Sequence, residues 1–222
     1  MSSQHPFKEE HSIQLVDKPA GITSFGVVAR VRRVLSEHLG KKAKVGHTGT
    51  LDPFATGLMI IVTGKECRNA MQFSKLDKEY EATIRLGQTS TTGDPEGEIV
   101  ETSDRIPDRS EIDLAVAKFR GEIKQRPPIF SAIKINGRRA YDLARKGEVV
   151  EMPERTVNVY SLEVLDYTYP NLRVRAHVSS GTYIRTLAED IGNVLNVGAY
   201  CSQLRRIKVG EWDVKDSVAV GK

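Results

Sequence analysis

The sequence predicts an α+β fold organised around an open sheet. Segments typical of strands outnumber segments typical of helices, and the two kinds do not alternate in a regular strand–helix repeat. In addition, the 222 residues, 39% of them hydrophobic, suffice for a sizeable core in one domain, with or without a small appendage.

The first predicted elements are a strand, a helix and a second strand. Residues 13–16 are typical of a short strand. Thr23 or Ser24 then caps a helix whose apolar residues recur at helical spacing, and Gly40 ends it. The apolar run 58–62 predicts the second strand. A helix at 65–76 and a strand at 80–86 follow.

The middle of the chain is rich in turn residues. Residues 88–109 contain many Thr, Gly, Pro and Asp residues, which indicates a surface loop or a hairpin. Ser110 can cap a short helix that runs to Phe119, with Asp113 in the capping-box position. The two prolines after Arg126 break regular structure. We then expect a strand at 129–135, a turn at 136–137 and a short basic helix at 138–146.

The last third combines strands with one helix. Residues 157–165 are rich in strand formers, and 172–178 alternate apolar and charged residues, the pattern of a half-buried strand. Gly181 and Thr182 open an amphipathic helix whose apolar residues share one face. A final strand region covers 202–212.

Charge is unevenly distributed, although the net charge is only +4. Residues 118–146 carry nine basic and two acidic side chains, a local balance of +7, whereas 94–113 carry eight acidic and two basic ones, a balance of −6. A solvated surface with scattered charge is the ordinary explanation of such runs. The alternative is a polarised surface whose basic side follows a phosphate backbone.

The sequence favours a cytoplasmic protein. No segment is apolar over a membrane-spanning length, and the polar N-terminus does not resemble a signal peptide. Cys67 and Cys201 lie far apart without a Cys-x-x-Cys pair, so we expect buried thiols in a reducing compartment and no zinc site.

The segment GHTGTLDPFATG at residues 46–57 is the strongest local signal. It places one carboxylate, Asp52, in a loop of glycines and small hydroxyl residues, with His47 five positions upstream. Glycines permit the close approach of another molecule, and loops held by rigid elements often carry catalytic side chains. An aspartate before a proline is also an ordinary helix start, and a single histidine is often structural. Local chemistry leaves both interpretations open.

In chain order, five segments resemble the motifs of the TruB family of pseudouridine synthases. These segments are residues 17–24, 46–57, 78–82, 180–192 and 204–206. The resemblance implies the pseudouridine synthase fold, a mixed, largely antiparallel sheet flanked by helices with a central catalytic cleft. It also implies a single catalytic domain over residues 1–222. The small C-terminal RNA-binding domain of PUA type that most relatives carry is not expected.

The activity implied by the resemblance needs neither a cofactor nor a metal. Uracil is detached from C1′ of its ribose, turned over and reattached through C5, so no group is added or lost. Asp52 matches the family's catalytic carboxylate, which either attacks C1′ or takes the proton from C2′. Arg185 matches the charge partner of that carboxylate. The resemblance is needed for Arg185, because its position off the apolar face also fits an exposed helix arginine.

The resemblance also implies a pocket for an extruded uridine, because a stacked base cannot reach the carboxylate. Tyr80 and Tyr183 match aromatic residues of this pocket, and Leu204 matches its apolar wall. His47 matches the histidine that helps to displace the base or fills its place in the stack. Each of these residues also has an ordinary structural interpretation in a strand, a loop or the core.

The basic segment at about 120–152 resembles an insertion with which stand-alone bacterial enzymes clasp the T arm of tRNA. This implies a monomer that acts on the T-loop uridine at tRNA position 55, recognised by shape and phosphate contacts. Two alternatives stay open: a catalytic subunit directed by guide RNA, and a non-catalytic tRNA-binding or tRNA-folding module. The candidate RNA contacts are Arg126, Lys134, Arg138, Arg139, Arg145 and Lys146.

Overall fold

The computed structural model describes residues 7–131, 133–135, 137–144, 146–148 and 151–220. Among these residues, ten strands form a mixed, largely antiparallel sheet, so the predicted α+β class is confirmed. By its internal contacts the chain divides into two compact units. The first contains residues up to Tyr80 and from Arg205 onward, and the second contains Glu81–Leu204.

The helices and strands have the following bounds. The strands are β1 (Ile13–Lys18), β2 (Val45–His47), β3 (Thr56–Thr63), β4 (Lys78–Leu86), β5 (Gln88–Ser90), β6 (Ile99–Glu101), β7 (Gly121–Gln125), β8 (Lys134–Ile135), β9 (Arg138–Arg139), β10 (Arg155–Thr168), β11 (Asn171–Val178), β12 (Ala199–Val209), β13 (Trp212–Asp213) and β14 (Val218–Ala219). The helices are α1 (Ser24–Leu39), α2 (Ala70–Ser74), α3 (Arg109–Ala117), α4 (Ala140–Ala144) and α5 (Ile184–Val194). None of the helices in the described ranges has the length and apolarity needed to cross a membrane.

The first unit is built on β3. Strand β1 pairs with it antiparallel along its length, with Val16 opposite Met59, and β2 is also antiparallel to it. Strand β12 runs parallel to β3, and β14 runs parallel to β1. Alternate residues of β3, including Leu58 and Ile60, form a buried cluster against which Trp212 packs. This core fixes β3, whose N-terminal end follows the loop that carries Asp52.

Helix α1 of the first unit follows the predicted signals. Thr23 is its N-cap, since its Oγ1 accepts a hydrogen bond from the backbone N–H of Gly26 at 2.9 Å. The helix ends at Gly40, which adopts the left-handed conformation with φ of 65°. Its apolar stripe, including Val31 and Leu35, is fully buried. Both predicted ends of α1 are therefore confirmed, with Thr23 as the cap.

The second unit contains β11, β10 and β7, which pair in antiparallel order. The alternation predicted for residues 172–178 is confirmed: Leu172 and Val174 are buried, while Arg173 and Arg175 are exposed. Strands β5 and β6 form a separate antiparallel hairpin, so the turn-rich segment has the hairpin that its composition allowed.

The predicted helix at 65–76 and the predicted cap at Ser110 are wrong, and the helix expected to open at Gly181 and Thr182 begins at Ile184. Residues 65–76 form a short 3-10 helix, Gly64–Arg68, followed by α2. The break comes at Asn69, which ends the 3-10 helix and precedes α2 with φ of −89° and ψ of −3°. Its side-chain amide donates to the carboxylate of Glu66 at 2.8 Å. Helix α3 is capped by Asp108 rather than Ser110, and Glu111 rather than Asp113 completes the capping box.

The predicted structure of the basic segment is partly wrong. The prediction missed β7 and placed a strand over 129–135, where β8 covers only Lys134–Ile135. The two prolines at 127 and 128 end regular pairing after β7, since proline lacks a backbone N–H. Gly137 lies in a turn with φ of 83°, and α4 is shorter than the helix expected over 138–146.

Candidate active site

Asp52 lies in the loop between β2 and β3 of the first unit, where it is half-buried. Its carbonyl accepts a hydrogen bond from the N–H of Ala55 at 3.1 Å, so the chain turns tightly immediately after the carboxylate. Gly57 ends the loop with φ of 105°, and a Cβ atom there would lie 2.3 Å from the carbonyl oxygen of Arg206. Only glycine fits this close approach of β3 to β12.

One serine fixes the backbone immediately before Asp52. The Oγ of Ser24 accepts from the N–H of Leu51 at 2.8 Å and donates to the carbonyl of Leu51 at 2.9 Å. Ser24 is 3% exposed, so water does not compete for either hydrogen bond. The first residue of α1 thereby holds both backbone groups of the residue next to the predicted catalytic carboxylate.

Two buried cations hold the rest of this loop. The guanidinium of Arg206 donates to the carbonyls of Thr50 and Gly49 at 3.3 and 3.2 Å, and also to Leu58 of β3 at 2.7 Å. The ammonium of Lys18 donates to Pro53 at 3.1 Å, immediately after Asp52. A buried charge is costly unless its donors are satisfied, and backbone carbonyls satisfy these.

A third cation adds to the positive charge of the first unit. Lys78, the first residue of β4, is buried and donates to the carbonyls of Ser74 and Leu76. Burial, together with the charge of Arg206, lowers the pKa of Lys78 to about 8. The unit that carries the predicted catalytic acid therefore concentrates cations in its interior.

The other predicted residues of the first unit are His47 and Tyr80. His47 ends β2 opposite Ile61 of β3 and is half-buried. The next residue, Thr48, donates its N–H to the carbonyl of Ile60 at 3.1 Å, which fixes where the loop leaves the sheet. Tyr80 lies on β4 and is 8% exposed.

Arg185 lies in the first turn of α5 in the second unit and is 3% exposed, so it is not the exposed helix arginine of the ordinary interpretation. Its Nη1 forms an ion pair of 3.0 Å with the carboxylate of Asp94 and donates to the carbonyl of Thr92 at 2.8 Å. Its Nη2 donates to the carbonyl of Phe130 at 2.9 Å. These contacts fix the guanidinium in one orientation.

Asp94 is a site residue that the sequence reasoning missed, because the segment 88–109 was interpreted as surface. It is 3% exposed. Besides Arg185, its carboxylate accepts from the hydroxyl of Thr92 at 2.6 Å and from the N–H of Glu96 at 3.0 Å. The sequence offered one signal, the run Thr92-Gly93-Asp94, in which an aspartate follows a glycine. In the structure this glycine adopts φ of 71°.

Tyr183 immediately precedes α5 and is held by a buried glutamine. Gln125, the last residue of β7, accepts from the N–H of Tyr183 at 3.0 Å and donates to its carbonyl at 3.2 Å. The guanidinium carbon of Arg155 lies 5.9 Å from the centroid of the Tyr183 ring, within the range of a cation–π contact. Leu204, on β12, is 8% exposed.

A cleft of about 840 Å³ lies within the second unit beside α5. Arg126, Phe130 and Thr186 line it, as do the acidic residues Glu189 and Asp190. Burial raises the pKa of Glu189 to about 7, and the neighbouring charge of Asp190 adds to this shift. Burial also raises the pKa of Asp190.

The predicted RNA contacts have different surroundings. Arg126 is exposed at the cleft, and Lys146 is exposed after α4. Arg138 forms a two-point ion pair with Glu148, with N–O distances of 2.7 and 3.0 Å. Arg139 donates to the hydroxyl of Tyr141 at 2.9 Å. Arg145 and the side chain of Lys134 lie outside the described residues. No cluster of potential metal ligands occurs within the described ranges.

The chain matches two family descriptions. "TruB family pseudouridylate synthase (N terminal domain)" matches residues 32–184, and "tRNA pseudouridylate synthase B C-terminal domain" matches residues 185–221. The first match covers more than half of the chain and includes Asp52, Asp94 and the residues of the basic segment.

Several curated proteins are similar over nearly the whole chain. A protein named tRNA pseudouridine synthase B from Phocaeicola vulgatus is 46% identical, with 96% of this chain and 91% of that protein covered. A protein of the same name from Cupriavidus pinatubonensis is 44% identical, with 97% of this chain and 68% of that protein covered. Another from Aquifex aeolicus is 45% identical, with 93% of this chain and 71% of that protein covered.

Solved structures share the fold. A chain from the crystal structure of a Cbf5-Nop10-Gar1 complex superposes with a TM-score of 0.71 at 30% identity, over 95% of this chain and 53% of that chain. A chain from an H/ACA RNP bound to a substrate RNA containing 2′-deoxyuridine gives a TM-score of 0.69 at 28% identity, over 95% and 51%. The present chain thus spans about half the length of these solved chains.

Proposed function

The chain belongs to the TruB family of pseudouridylate synthases, and we propose that it isomerises a uridine in the T loop of tRNA, at position 55, to pseudouridine. The names of the curated relatives support tRNA as the substrate. In this proposal residues 1–222 act as one catalytic domain, a cytoplasmic monomer in which the segment 120–152 clasps the T arm.

The observation that carries the proposal is the rigid presentation of one carboxylate. Ser24 and Arg206 hold the backbone before Asp52, and Lys18 holds the backbone after it. Three buried polar side chains of one unit are thus committed to a loop whose most reactive group is the Asp52 carboxylate. Fixing a reacting group in advance lowers the entropic part of a barrier, which is how a single carboxylate becomes an effective catalyst.

Asp52 acts on the ribose of the extruded uridine. It either attacks C1′ as the N1 glycosidic bond breaks, or it takes the proton from C2′ so that the base leaves by elimination; both routes stay open. In either case uracil turns over within the pocket and bonds to C1′ through C5. On the first route the Asp52–C1′ ester bond breaks as the new bond forms, and on the second C2′ regains a proton. N1 takes up a proton, and the C5 proton is lost to solvent. Arg185 is assigned as the charge partner of Asp52 during this cycle.

The remaining assigned residues hold the base. Extrusion costs a few kcal/mol of lost stacking and pairing, which contacts in the pocket must offset. Tyr80 and Tyr183 are assigned to stack on or flank the uracil ring, and Leu204 to form an apolar wall. His47 is assigned to displace the base or to fill its place in the stack.

The substrate class follows from the basic segment. Arg126, Lys134, Arg138, Arg139, Arg145 and Lys146 are assigned to phosphates of the T arm, with few bases read directly. Because the segment belongs to the chain itself, the proposal requires no guide RNA and no partner protein for recognition.

The test is release of tritium from C5-labelled uridine in a T-arm transcript without other proteins. We expect release and conversion of the target uridine, verified by mapping the pseudouridine. A transcript in which cytidine replaces only the target uridine is the matched control. If release requires an added guide RNA, the enzyme is a guide-directed subunit. If the transcript binds tightly without release, the chain is a non-catalytic binding module.

A further inference from the structure

Glu189 is an acidic side chain to which the proposed reaction gives no role. It lies on α5 one turn after Arg185, and it is only half-buried at the edge of the cleft in the second unit. At this spacing the two side chains project from the same side of the helix. Glu189 is therefore placed where its charge acts on the guanidinium.

The carboxylate of Glu189 lies against the turn that orients Arg185. A Cβ atom added at Gly93 would lie 2.3 Å from Oε1 of Glu189 and 3.5 Å from Cβ of Arg185. The residues on either side of Gly93 are the two that bind Arg185 from this turn, Thr92 through its carbonyl and Asp94 through its carboxylate. Glycine at position 93 is thus what allows Glu189 to approach the turn.

The charged groups around Glu189 are of both signs. Asp190 and Arg185 share its helix, and Asp94 faces it from the turn. Across the cleft lie Arg126 and Glu151, and Lys124, which pairs with Glu154 at 3.7 Å. Burial and the charges of Asp190 and Asp94 raise the pKa of Glu189 to about 7, against the opposing effect of Arg185.

We propose that Glu189 is a positioning residue whose protonation state sets the charge balance at Arg185. This rests on the proposed function. With Glu189 protonated, Asp94 is the one carboxylate of the described second unit that pairs with the guanidinium, and the charges of this pair balance. With Glu189 ionised, a second negative charge lies beside the pair. It repels the carboxylate of Asp94 across Gly93, and the two carboxylates compete for the guanidinium of Arg185. The protonated form is the catalytically competent one.

RNA binding favours the protonated form of Glu189. RNA phosphates add negative charge near the cleft, and nearby negative charge favours the protonated state of a carboxyl group. Glu189 therefore takes up a proton when RNA binds at a pH near its pKa, and the coupling makes turnover sensitive to pH across the neutral range.

The test compares the pH dependence of single-turnover rates at saturating enzyme for the wild type and Glu189→Gln. Glutamine keeps the size and the hydrogen-bonding capacity of the neutral acid but does not ionise. A carboxyl group falls from about 90% to about 10% protonated over two pH units centred on its pKa, so the rate ratio of variant to wild type should rise about tenfold over such an interval. In the RNA complex this interval should lie higher than about pH 6–8, because bound phosphates favour the protonated form. Glu163→Gln, at an exposed position of β10, is the matched control and should give a constant ratio.

A constant ratio for Glu189→Gln, whether near one or uniformly low, would overturn the proposal, since a purely structural role does not depend on pH. A second measurement needs no RNA, so it stands apart from a failure of the proposed function. Because the pKa of Glu189 is raised in the folded state, its protonation stabilises the folded protein. This contribution is complete below the ordinary pKa of 4.5 and is lost as pH rises through about 7. The unfolding free energy of the wild type should therefore fall relative to Glu189→Gln between pH 5 and pH 8, and parallel curves would contradict the titration.

Discussion

The two units embed their predicted catalytic residues in opposite ways. In the first unit, the buried cations Lys18 and Arg206 hold the loop of one acid, Asp52. In the second unit, the carboxylates of Asp94 and Glu189 flank one cation, Arg185. Each unit thus places buried charge of the opposite sign near its own predicted catalytic group.

The two buried arginines show the difference most clearly. Arg206 donates to three backbone carbonyls, so its main task is to fix a chain conformation. Arg185 also binds a carboxylate, so its charge is balanced and its orientation depends on an ionisable partner. A cation bound by carbonyls, such as Arg206, stabilises a loop. The orientation of a cation bound by a carboxylate, such as Arg185, can also change when nearby acidic groups gain or lose a proton.

The largest expected effect on stability comes from breaking the buried pair of the second unit. Asp94→Asn leaves Arg185 charged in the interior, so the unfolding free energy should fall by about 3–5 kcal/mol, as is typical when one partner of a buried pair is lost. Denaturant titration measures this loss. Turnover should also fall by at least two orders of magnitude, roughly the effect of losing one preorganised electrostatic contact.

The matched control replaces both partners, as Arg185→Met with Asp94→Leu. Apolar replacement of a whole buried pair is often neutral or stabilising, so this double variant should recover part of the lost stability. Recovery should be incomplete, because the carbonyls of Thr92 and Phe130 and the N–H of Glu96 lose these partners. Its turnover should remain lost if Arg185 has the proposed role of charge partner to Asp52. Recovery of turnover together with stability would make Arg185 a structural residue and would end the comparison of the two arginines.

A smaller effect is expected from the serine that holds Leu51. Ser24→Ala leaves two buried backbone groups without this partner, which costs about 1–3 kcal/mol of stability for an unsatisfied buried group. Because the loop of Asp52 is loosened, the single-turnover rate should fall roughly tenfold or more, in line with the sensitivity of catalysis to misplaced groups.

Ser36→Ala is the control for Ser24→Ala. Ser36 is on the same helix, α1, and accepts from the N–H of Ala43 at 2.9 Å. This variant should lose about 1 kcal/mol of stability without a loss of rate. Equal rate losses in the two serine variants would attribute the loss to general destabilisation of α1, and not to the hydrogen bonds between Ser24 and Leu51.

The smallest expected effect concerns the basic segment. Glu148→Gln frees Arg138 from its ion pair, so T-arm RNA should bind more tightly. The slope of log K against log salt should steepen by roughly 0.7–0.9, because Arg138 can then bind one further phosphate. The control is Asp113→Asn, which frees Arg109 in the acidic segment. Equally tightened binding in both variants would indicate an effect of net charge, without a defined site for RNA at Arg138.

The sequence predicts best what is encoded locally. Thr23 and Gly40 mark the ends of α1 because capping depends on a few adjacent residues. The partner of Arg185 was not predictable in this way, since Asp94 lies 91 residues earlier in a segment of surface-like composition. Ser24 was considered only as a cap, yet its hydroxyl binds Leu51, 27 residues away. Roles that depend on long-range contacts require the fold.

The resemblance to the family supplied what local chemistry could not. Local chemistry alone favoured an ordinary helix start for Asp52 before its proline, and Arg185 alone suggested an exposed side chain. The structure adds why the motif residues that surround Asp52 occur: Lys18 and Ser24 of the segment 17–24 and Arg206 of the segment 204–206 meet at the loop of Asp52.

The central claim is that the Asp52 carboxylate carries the chemistry, and Asp52→Asn tests it most directly. The single-turnover rate on a T-arm transcript at saturating enzyme should be abolished, while the Kd for the same transcript changes by less than about twofold, because many basic residues share the phosphate contacts. A residual rate within about tenfold of the wild type, with binding intact, would contradict the assignment of Asp52.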